Sequence, residues 1–215
     1  MKRCIDDKYL RNDGIYQTAD NGSMAELKVI DLSEEHIPQA LEISKAEFGI
    51  DYLFEKDFLD YIGKEDIFCK VALLDDTVVG FCMCRIFGSE KVDDELKLPV
   101  SKERDMMMSF KRIGLLDAIT LRQDMQGRGY GTVLAKESYD EMLAHGVDCV
   151  CAMAWKSIRG TTNAKRLLEN LGMRPSIEIQ GYWNLMVDSP EGHHCPHCDP
   201  PCKCYGVLYC KAIDD

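Results

Sequence analysis

The pattern of apolar and polar residues predicts a chain in which strands and helices are interleaved. Short apolar runs rich in β-branched residues predict strands at residues 26–31, 68–74, 78–86, 112–121, 149–155, 177–187 and 207–213. Apolar residues at helical spacing predict a helix after residue 33, a shorter one within 48–62, and helices at 129–145 and 162–171. This order is typical of a mixed sheet with helices on both faces.

Turn and cap residues support several of these boundaries. Asp75, Asp76 and Thr77 separate two strand patterns and predict a hairpin. Gly146 and Gly172 follow two predicted helices, where a glycine commonly ends the helix. Residues 88–111 are polar and longer than an ordinary connection, so they predict an insertion or a flexible flap.

Length, composition and charge then narrow the class of protein. The chain has 215 residues, of which 46% are hydrophobic, and this is enough for one domain with a real core. We expect a polar extension at residues 1–23 and the domain at residues 24–215. The formal net charge of −11 argues against a nucleic-acid partner, because binding a phosphate backbone needs clustered Lys and Arg. The same charge favours cationic partners, or simply keeps the chain soluble.

The sequence carries no signal for a membrane or for secretion. No run approaches the ~18 apolar residues of a membrane span, and residues 1–23 lack the apolar core of a secretory signal. The eleven cysteines therefore favour thiols in a reducing cytosol over a disulfide framework. We expect a cytoplasmic protein with no membrane partner; its oligomeric state is open, with a homodimer as one option.

A strand followed by a glycine-rich loop and a helix carries the clearest chemistry. A period-2 strand places Leu115, Asp117, Ile119 and Leu121 on one predicted face. The sequence QGRGYG follows at residues 126–131. Its alternating glycines let backbone N–H groups approach a ligand, and the start of the next helix attracts anions. The segment therefore predicts a pyrophosphate cradle, while a glycine-rich turn without a ligand is the plainer alternative.

The spacing of the glycines separates this loop from other phosphate loops. A P-loop needs a Lys after its glycines, and a dinucleotide fingerprint needs its third glycine one residue later. The segment instead resembles the acetyl-CoA motif of GNAT-type N-acetyltransferases, Q/R-x-x-G-x-G/A after the fourth strand, with matches at Gln126, Gly129 and Gly131. The resemblance covers about residues 26–187 and the last strand.

The resemblance implies an α/β (α+β) chain with the GNAT acyl-CoA N-acyltransferase fold, a mixed central sheet flanked by helices. It implies acetyl-CoA as co-substrate and a primary amine as acceptor. The pantetheine arm would lie where the strand splays from its neighbour, with main-chain contacts from Ile119 and Leu121. Asn163 would also reach the cofactor. The residues implied for the pyrophosphate are Gln126, Gly127, Arg128, Gly129, Tyr130, Gly131 and Thr132.

Proton transfer is less well defined by the sequence. Asp117 is the candidate base, because members of the resembled family often place a carboxylate near this point. The equally weighted alternative is that Asp117 pairs with a nearby Lys or Arg, or orders a water. Leu168 stands where many family members have the Tyr that protonates the leaving thiolate. The sequence therefore assigns no general acid.

A cysteine cluster lies in a loop at residues 191–205, between the last two predicted strands. Thiols and imidazoles at such short spacings favour a structural tetrahedral zinc site, and redox cysteines are the alternative. The predicted ligands are Cys195, Cys198, Cys202 and Cys204, with His193, His194 and His197 among them. In the resembled fold this hairpin borders the acceptor pocket, so we expect the metal loop to shape or cover that pocket.

Three functions remain open at this point. The first is an acetyl-CoA-dependent N-acetyltransferase that acts on a small cationic amine, an aminoglycoside-like or polyamine compound, or a protein N-terminus or Lys. The second is an acyl-CoA sensor of the same fold without turnover, which the missing Tyr supports. The third is a zinc-stabilised interaction module. The sequence does not identify the acceptor.

Overall fold

The strands form one mixed sheet. A computed structural model describes residues 11–12, 15–20, 23–50, 52–162, 164–195 and 197–213, with side chains from residue 26 onward. The strands are β1 Arg11–Asn12, β2 Ile15–Asp20, β3 Ser23–Asp31, β4 Ile67–Leu74, β5 Thr77–Phe87, β6 Ile113–Leu121, β7 Cys149–Lys156, β8 Arg174–Gln180 and β9 Tyr205–Ala212. Their order is β1-β2-β3-β4-β5-β6-β7-β9-β8. Within the described strands, β6 and β7 run parallel and the other neighbours antiparallel.

Helices cover both faces of this sheet. They are α1 Ile37–Phe48, α2 Glu55–Leu59, α3 Val92–Leu96, α4 Lys102–Met108, α5 Tyr130–Ala144 and α6 Lys165–Asn170. Leu134 and Met142 of α5 pack with Leu168 of α6 in one core. Ala40 of α1 and Phe58 of α2 pack in a second core on the opposite face. The predicted mixed sheet between two helical layers is confirmed.

The predicted hairpin between β4 and β5 is also confirmed. Leu74 pairs with Thr77 across the turn. The two residues between them, Asp75 and Asp76, have φ values of 47° and 62°. Two consecutive positive φ angles are what a two-residue hairpin turn of the primed type requires, and Asp adopts them more readily than most residues.

Residues 88–111 pack against the sheet, so the alternative of a flexible flap is wrong. Val92, Leu96 and Met107 are fully buried, in the same core as residues of β6. The Arg104 guanidinium donates to both carboxylate oxygens of Asp93, at 2.7 and 2.6 Å, and so joins α4 to α3. The charged residues that suggested a loose segment lie on the outside of two short helices.

The strand predicted at residues 177–187 ends earlier than expected. Gly181 has a φ of 70° and starts a short 3-10 turn, Tyr182–Leu185. Tyr182 and Trp183 pack in a cluster with Cys195 and Cys202, which explains their apolar character without a strand. The sequence pattern did not distinguish this buried turn from a continuing strand.

The predicted extension at residues 1–23 falls mostly outside the described residues. Of its described residues, Ile15–Asp20 form β2, which pairs with β3 in antiparallel fashion. Among the described residues, no helix is both long enough and apolar enough to cross a bilayer.

Candidate active site

A cavity of about 500 Å³ opens where β6 and β7 separate. The two strands pair at four positions, from Ile113 opposite Cys149 to Leu116 opposite Ala152. Both strands continue beyond this point, and the cavity is lined by residues 117–121 of β6 and 153–155 of β7. In the described chain these facing edges have no ladder partner, so their backbone groups are available to an extended ligand.

A β-bulge at Asp117 marks the point of separation. Ala118 pairs with Met83 and Leu116 with Cys84, so Asp117 has no residue opposite it on β5. A bulge re-aims side chains and resets the alternation of the strand. Ile119 therefore joins Leu116 in the core beneath α5. The prediction that Asp117 shares a face with Ile119 and Leu121 is wrong.

The Asp117 carboxylate accepts hydrogen bonds from two side chains on the face of the sheet opposite α5. Tyr61 Oη donates to Asp117 Oδ2 at 2.6 Å, and Arg85 Nε donates to the same oxygen at 2.9 Å. Arg85 also lies 3.4 Å from Glu95. Burial, and then the charge of Asp117, raises the pKa of Tyr61, which keeps this hydroxyl protonated as a donor. Asp117 thus has the cationic partner that the alternative interpretation expected.

The glycine-rich loop leads directly into α5, with Gly129 as the N-cap residue. Gly127 and Gly129 have φ values of 75° and 92°, which residues other than glycine rarely adopt. The Thr132 and Val133 amides donate to Gly129 O at 3.0 and 3.3 Å. A Cβ on Gly131 would lie 3.3 Å from a Leu121 methyl group. The loop therefore packs closely against the end of β6.

Gln126 braces this loop with its side chain. Its Nε2 donates to Leu121 O and to Glu47 Oε2, each at 3.0 Å. The conformation of the loop is therefore fixed from both β6 and α1. Sequence reasoning missed Glu47, because nothing local distinguishes it from other acidic residues of an exposed helix end.

Most of the predicted site residues line this one cavity. They are Asp117, Ile119, Leu121, Gln126, Gly127, Gly129, Gly131 and Thr132. Arg128 and Tyr130 lie between them in the sequence; Arg128 is exposed, and Tyr130, the first residue of α5, is buried in the core. Asn163 lies outside the described residues. Leu168 lines the cavity with an apolar side chain, so the position of the expected Tyr offers no hydroxyl.

Aromatic side chains form another part of the cavity wall. The Tyr52 ring centroid lies 5.4 Å from that of Phe48, 6.3 Å from Trp183 and 5.5 Å from His193. Burial, and then the charge of Asp117, raises the pKa of Tyr52. Sequence reasoning missed this group, because its members come from distant parts of the chain.

The predicted cysteine cluster is assembled. The Sγ atoms of Cys195, Cys198, Cys202 and Cys204 all lie within 4.8 Å of one another. Three of the pairs are 3.7 to 3.9 Å apart, and ~2.3 Å zinc–sulfur bonds in a tetrahedron would give sulfur separations of about 3.8 Å. The His197 amide donates to Cys195 Sγ and the Lys203 amide to Cys198 Sγ, each at 3.4 Å.

The electrostatics of the cluster also suit a metal. Burial and neighbouring thiols raise the pKa of Cys202, and burial raises that of Cys204 to about 11. Thiols in such a place ionise together only when a cation compensates their charge. The same loop brings His193 and His197 to the cavity, with the His197 ring 4.6 Å from that of Trp155.

Comparison with known proteins agrees with this geometry. The family model described as acetyltransferase (GNAT) family matches residues 32–173. A comparison with curated protein sequences gave no significant match. Arabidopsis thaliana NAA60 in complex with acetyl-CoA has a similar structure, at a TM-score of 0.62 and 12% identity over 88% of this chain and 99% of that one.

Two further solved structures share the fold at low identity. Escherichia coli ribosomal-protein-S18-alanine N-acetyltransferase has a TM-score of 0.59 and 15% identity over 88% of this chain and 95% of that one. Drosophila melanogaster polyamine N-acetyltransferase has a TM-score of 0.57 and 13% identity over 87% of this chain and 100% of that one. With a family model that matches two thirds of its length, the chain belongs to the acetyltransferase (GNAT) family of enzymes.

Proposed function

We propose that this protein transfers the acetyl group of acetyl-CoA to a primary amine. The observation that carries the proposal is the cavity between the separated halves of β6 and β7, which joins a glycine-rich helix start to an aromatic chamber. One end suits a diphosphate, the middle an extended thioester, and the other end an acceptor.

The coenzyme would be held mainly by backbone groups. The amides from Gly127 to Gly131 would donate to the pyrophosphate, where the partial positive charge of the α5 N-terminus stabilises the phosphates. Arg166 lines the same cavity and would add a full positive charge. Ile119 and Leu121 would contact the acetyl and pantetheine groups through their main chain.

The reaction would be a direct attack of the amine nitrogen on the thioester carbon. The amine must be neutral, and the proton lost as the new C–N bond forms needs an acceptor. Asp117 is our candidate, because it lies at the bulge where β6 and β7 separate, whereas Glu47, the other carboxylate of the described cavity wall, lies at the glycine-rich loop. The bonds from Tyr61 and Arg85 hold the Asp117 carboxylate in one orientation.

The leaving thiolate needs no dedicated acid in this scheme. A free thiol has a pKa of about 8.5, so its anion leaves more readily than an alkoxide does. This chemistry is compatible with Leu168 in place of a hydroxyl donor. The same residue favours the second candidate function, a sensor that binds acyl-CoA without turnover.

We also propose that the four clustered cysteines hold a structural zinc ion. All four sulfurs would serve as ligands, which leaves no open position for catalysis. The metal would order a loop that lines the acceptor end of the cavity. The unpaired thiols of the core and of this cluster support a reducing compartment such as the cytoplasm.

Turnover with a panel of amines tests the proposal directly. Purified protein is incubated with acetyl-CoA and each amine, including a peptide with a free N-terminus, and acetylated product is measured by mass spectrometry alongside CoA release. We expect amine-dependent product formation. Calorimetric binding of CoA without product from any amine would support the sensor, and absence of CoA binding would refute both functions.

A further inference from the structure

The walls of the acceptor end are mainly aromatic. Phe48 and Tyr52 reach the cavity from α1 and the segment after it, Trp155 from β7, and Trp183 from the 3-10 turn after β8. The chain contains two tryptophans, and both line this cavity. Their side chains present ring faces and edges that pack well against another flat apolar group.

Carboxylates are scarce on the same walls. In the described part of the lining, the carboxylates are those of Glu47 and Asp117. Glu47 accepts from Gln126 in the glycine-rich loop. Asp117 accepts from Tyr61 and Arg85 and sits at the bulge, where the acetyl group is transferred in our scheme. In the described walls, Glu47 is therefore the one further carboxylate for a second ammonium group, and it lies at the glycine-rich loop, where the diphosphate binds in our scheme.

On this basis we infer that the acceptor is a primary amine carried on an aromatic body, which packs among Tyr52, Trp155 and Trp183 while the amine points to Asp117. The inference rests on the proposed acetyl transfer and names its substrate class. It differs from the expectation drawn from the net charge of −11. The side chains that line the cavity, rather than the net charge of the chain, decide which acceptor can lose its hydration shell there at low cost.

A polycationic acceptor fits these walls poorly. Each extra ammonium group would lose its hydration on entering, and a ring face compensates for only part of that loss. An aromatic body instead buries apolar surface against apolar surface and needs no charged partner. The single reacting amine of such an acceptor becomes neutral when it gives its proton to Asp117.

The test compares kcat/KM for 2-phenylethylamine, n-butylamine and spermidine at saturating acetyl-CoA. We expect 2-phenylethylamine to exceed both others by at least about tenfold, a difference of about 1.4 kcal/mol in transition-state binding. Trp155→Leu is expected to remove most of this preference by raising KM, whereas Trp155→Phe keeps it. Tyr52→Leu and Tyr52→Phe form a second matched pair. CoA affinity, measured by calorimetry, is expected to stay unchanged in the two Tyr52 variants, because Tyr52 lies outside β6 and β7.

Tryptophan fluorescence gives a readout that does not need turnover. Because both tryptophans line the cavity, 2-phenylethylamine should change their emission in the CoA-loaded protein, and spermidine should not. Efficient acetylation of spermidine or of a peptide, with 2-phenylethylamine a poor substrate, overturns the inference and leaves the proposed acetyl transfer intact. If no amine reacts and 2-phenylethylamine leaves the emission unchanged, both fail.

Discussion

Asn184 and Cys202 are joined by two hydrogen bonds, one in each direction. Asn184 Nδ2 donates to Cys202 O, and the Cys202 amide donates to Asn184 Oδ1, both at 2.8 Å. The same side chain accepts from the His193 amide and donates to Gly181 O, each at 3.0 Å. One amide group therefore fastens the cysteine loop to the turn after β8 at two separate points, without help from a metal.

We expect Asn184→Ala to destabilise the fold by about 2–4 kcal/mol, because it leaves several backbone groups without partners in a partly buried place. Asn184→Asp keeps the two acceptor contacts and loses the two donor contacts, so its loss of stability should be smaller than that of Asn184→Ala. Urea unfolding in the presence of a chelator measures both changes. Equal stability of the two variants and the parent chain would contradict this role.

Gly127 and Gly146 offer a matched test of the glycine-rich loop. Their φ values are 75° and 73°, and an added Cβ would meet nothing within 4 Å at either position. Each change to Ala should therefore cost a similar ~1 kcal/mol of stability. Since Gly146 lies beyond the far end of α5, only Gly127→Ala is expected to weaken CoA binding, by about tenfold. Calorimetry measures the affinity, and equal affinities would remove the loop from the proposed site.

Asp117→Asn tests the assignment of the proton acceptor. The change keeps the shape of the side chain but removes the charge, so we expect kcat to fall by about 10²–10⁴-fold. Tyr61→Phe removes one donor and keeps the carboxylate, and its effect should be much smaller. If kcat falls by less than threefold in Asp117→Asn, the residue is not the proton acceptor and serves only as a structural partner of Arg85.

The cysteine cluster makes a prediction that does not depend on activity. Atomic emission should find one zinc ion per chain in protein purified without chelator. Cys202→Ser is expected to lose most of this zinc, since it removes one of four ligands. Cys210→Ser is the control, because Cys210 is a half-buried thiol of β9 outside the cluster. Protein that contains no zinc and whose cluster thiols cross-link under mild oxidation would favour the redox interpretation.

The sequence predicted the parts of the fold that depend on local patterns. The hairpin at Asp75 and Asp76, the strand before the glycine-rich loop and the helix after it all follow from period, turn residues and glycine spacing. The assembly of the four cysteines was also predictable, because their short spacing leaves few other arrangements.

Features set by partners distant in sequence were not predictable. The bulge that turns Asp117 away from Ile119 depends on the register with β5, which no local pattern encodes. Arg85 and Tyr61 reach Asp117 across 32 and 56 residues of chain. Tyr52 and Trp183 look like ordinary core aromatics until the fold brings them to one cavity. Packing from separate segments decides these positions.

The early end of pairing between β6 and β7 has a mechanical consequence. The two halves of the sheet meet at β6 and β7, which pair at four positions and separate beyond them. A bound thioester would fill the space between the unpaired parts of β6 and β7, much as an added strand would. Amide hydrogens along residues 117–121 and 153–155 should then exchange more slowly, so that substrate loading stiffens the molecule through its middle.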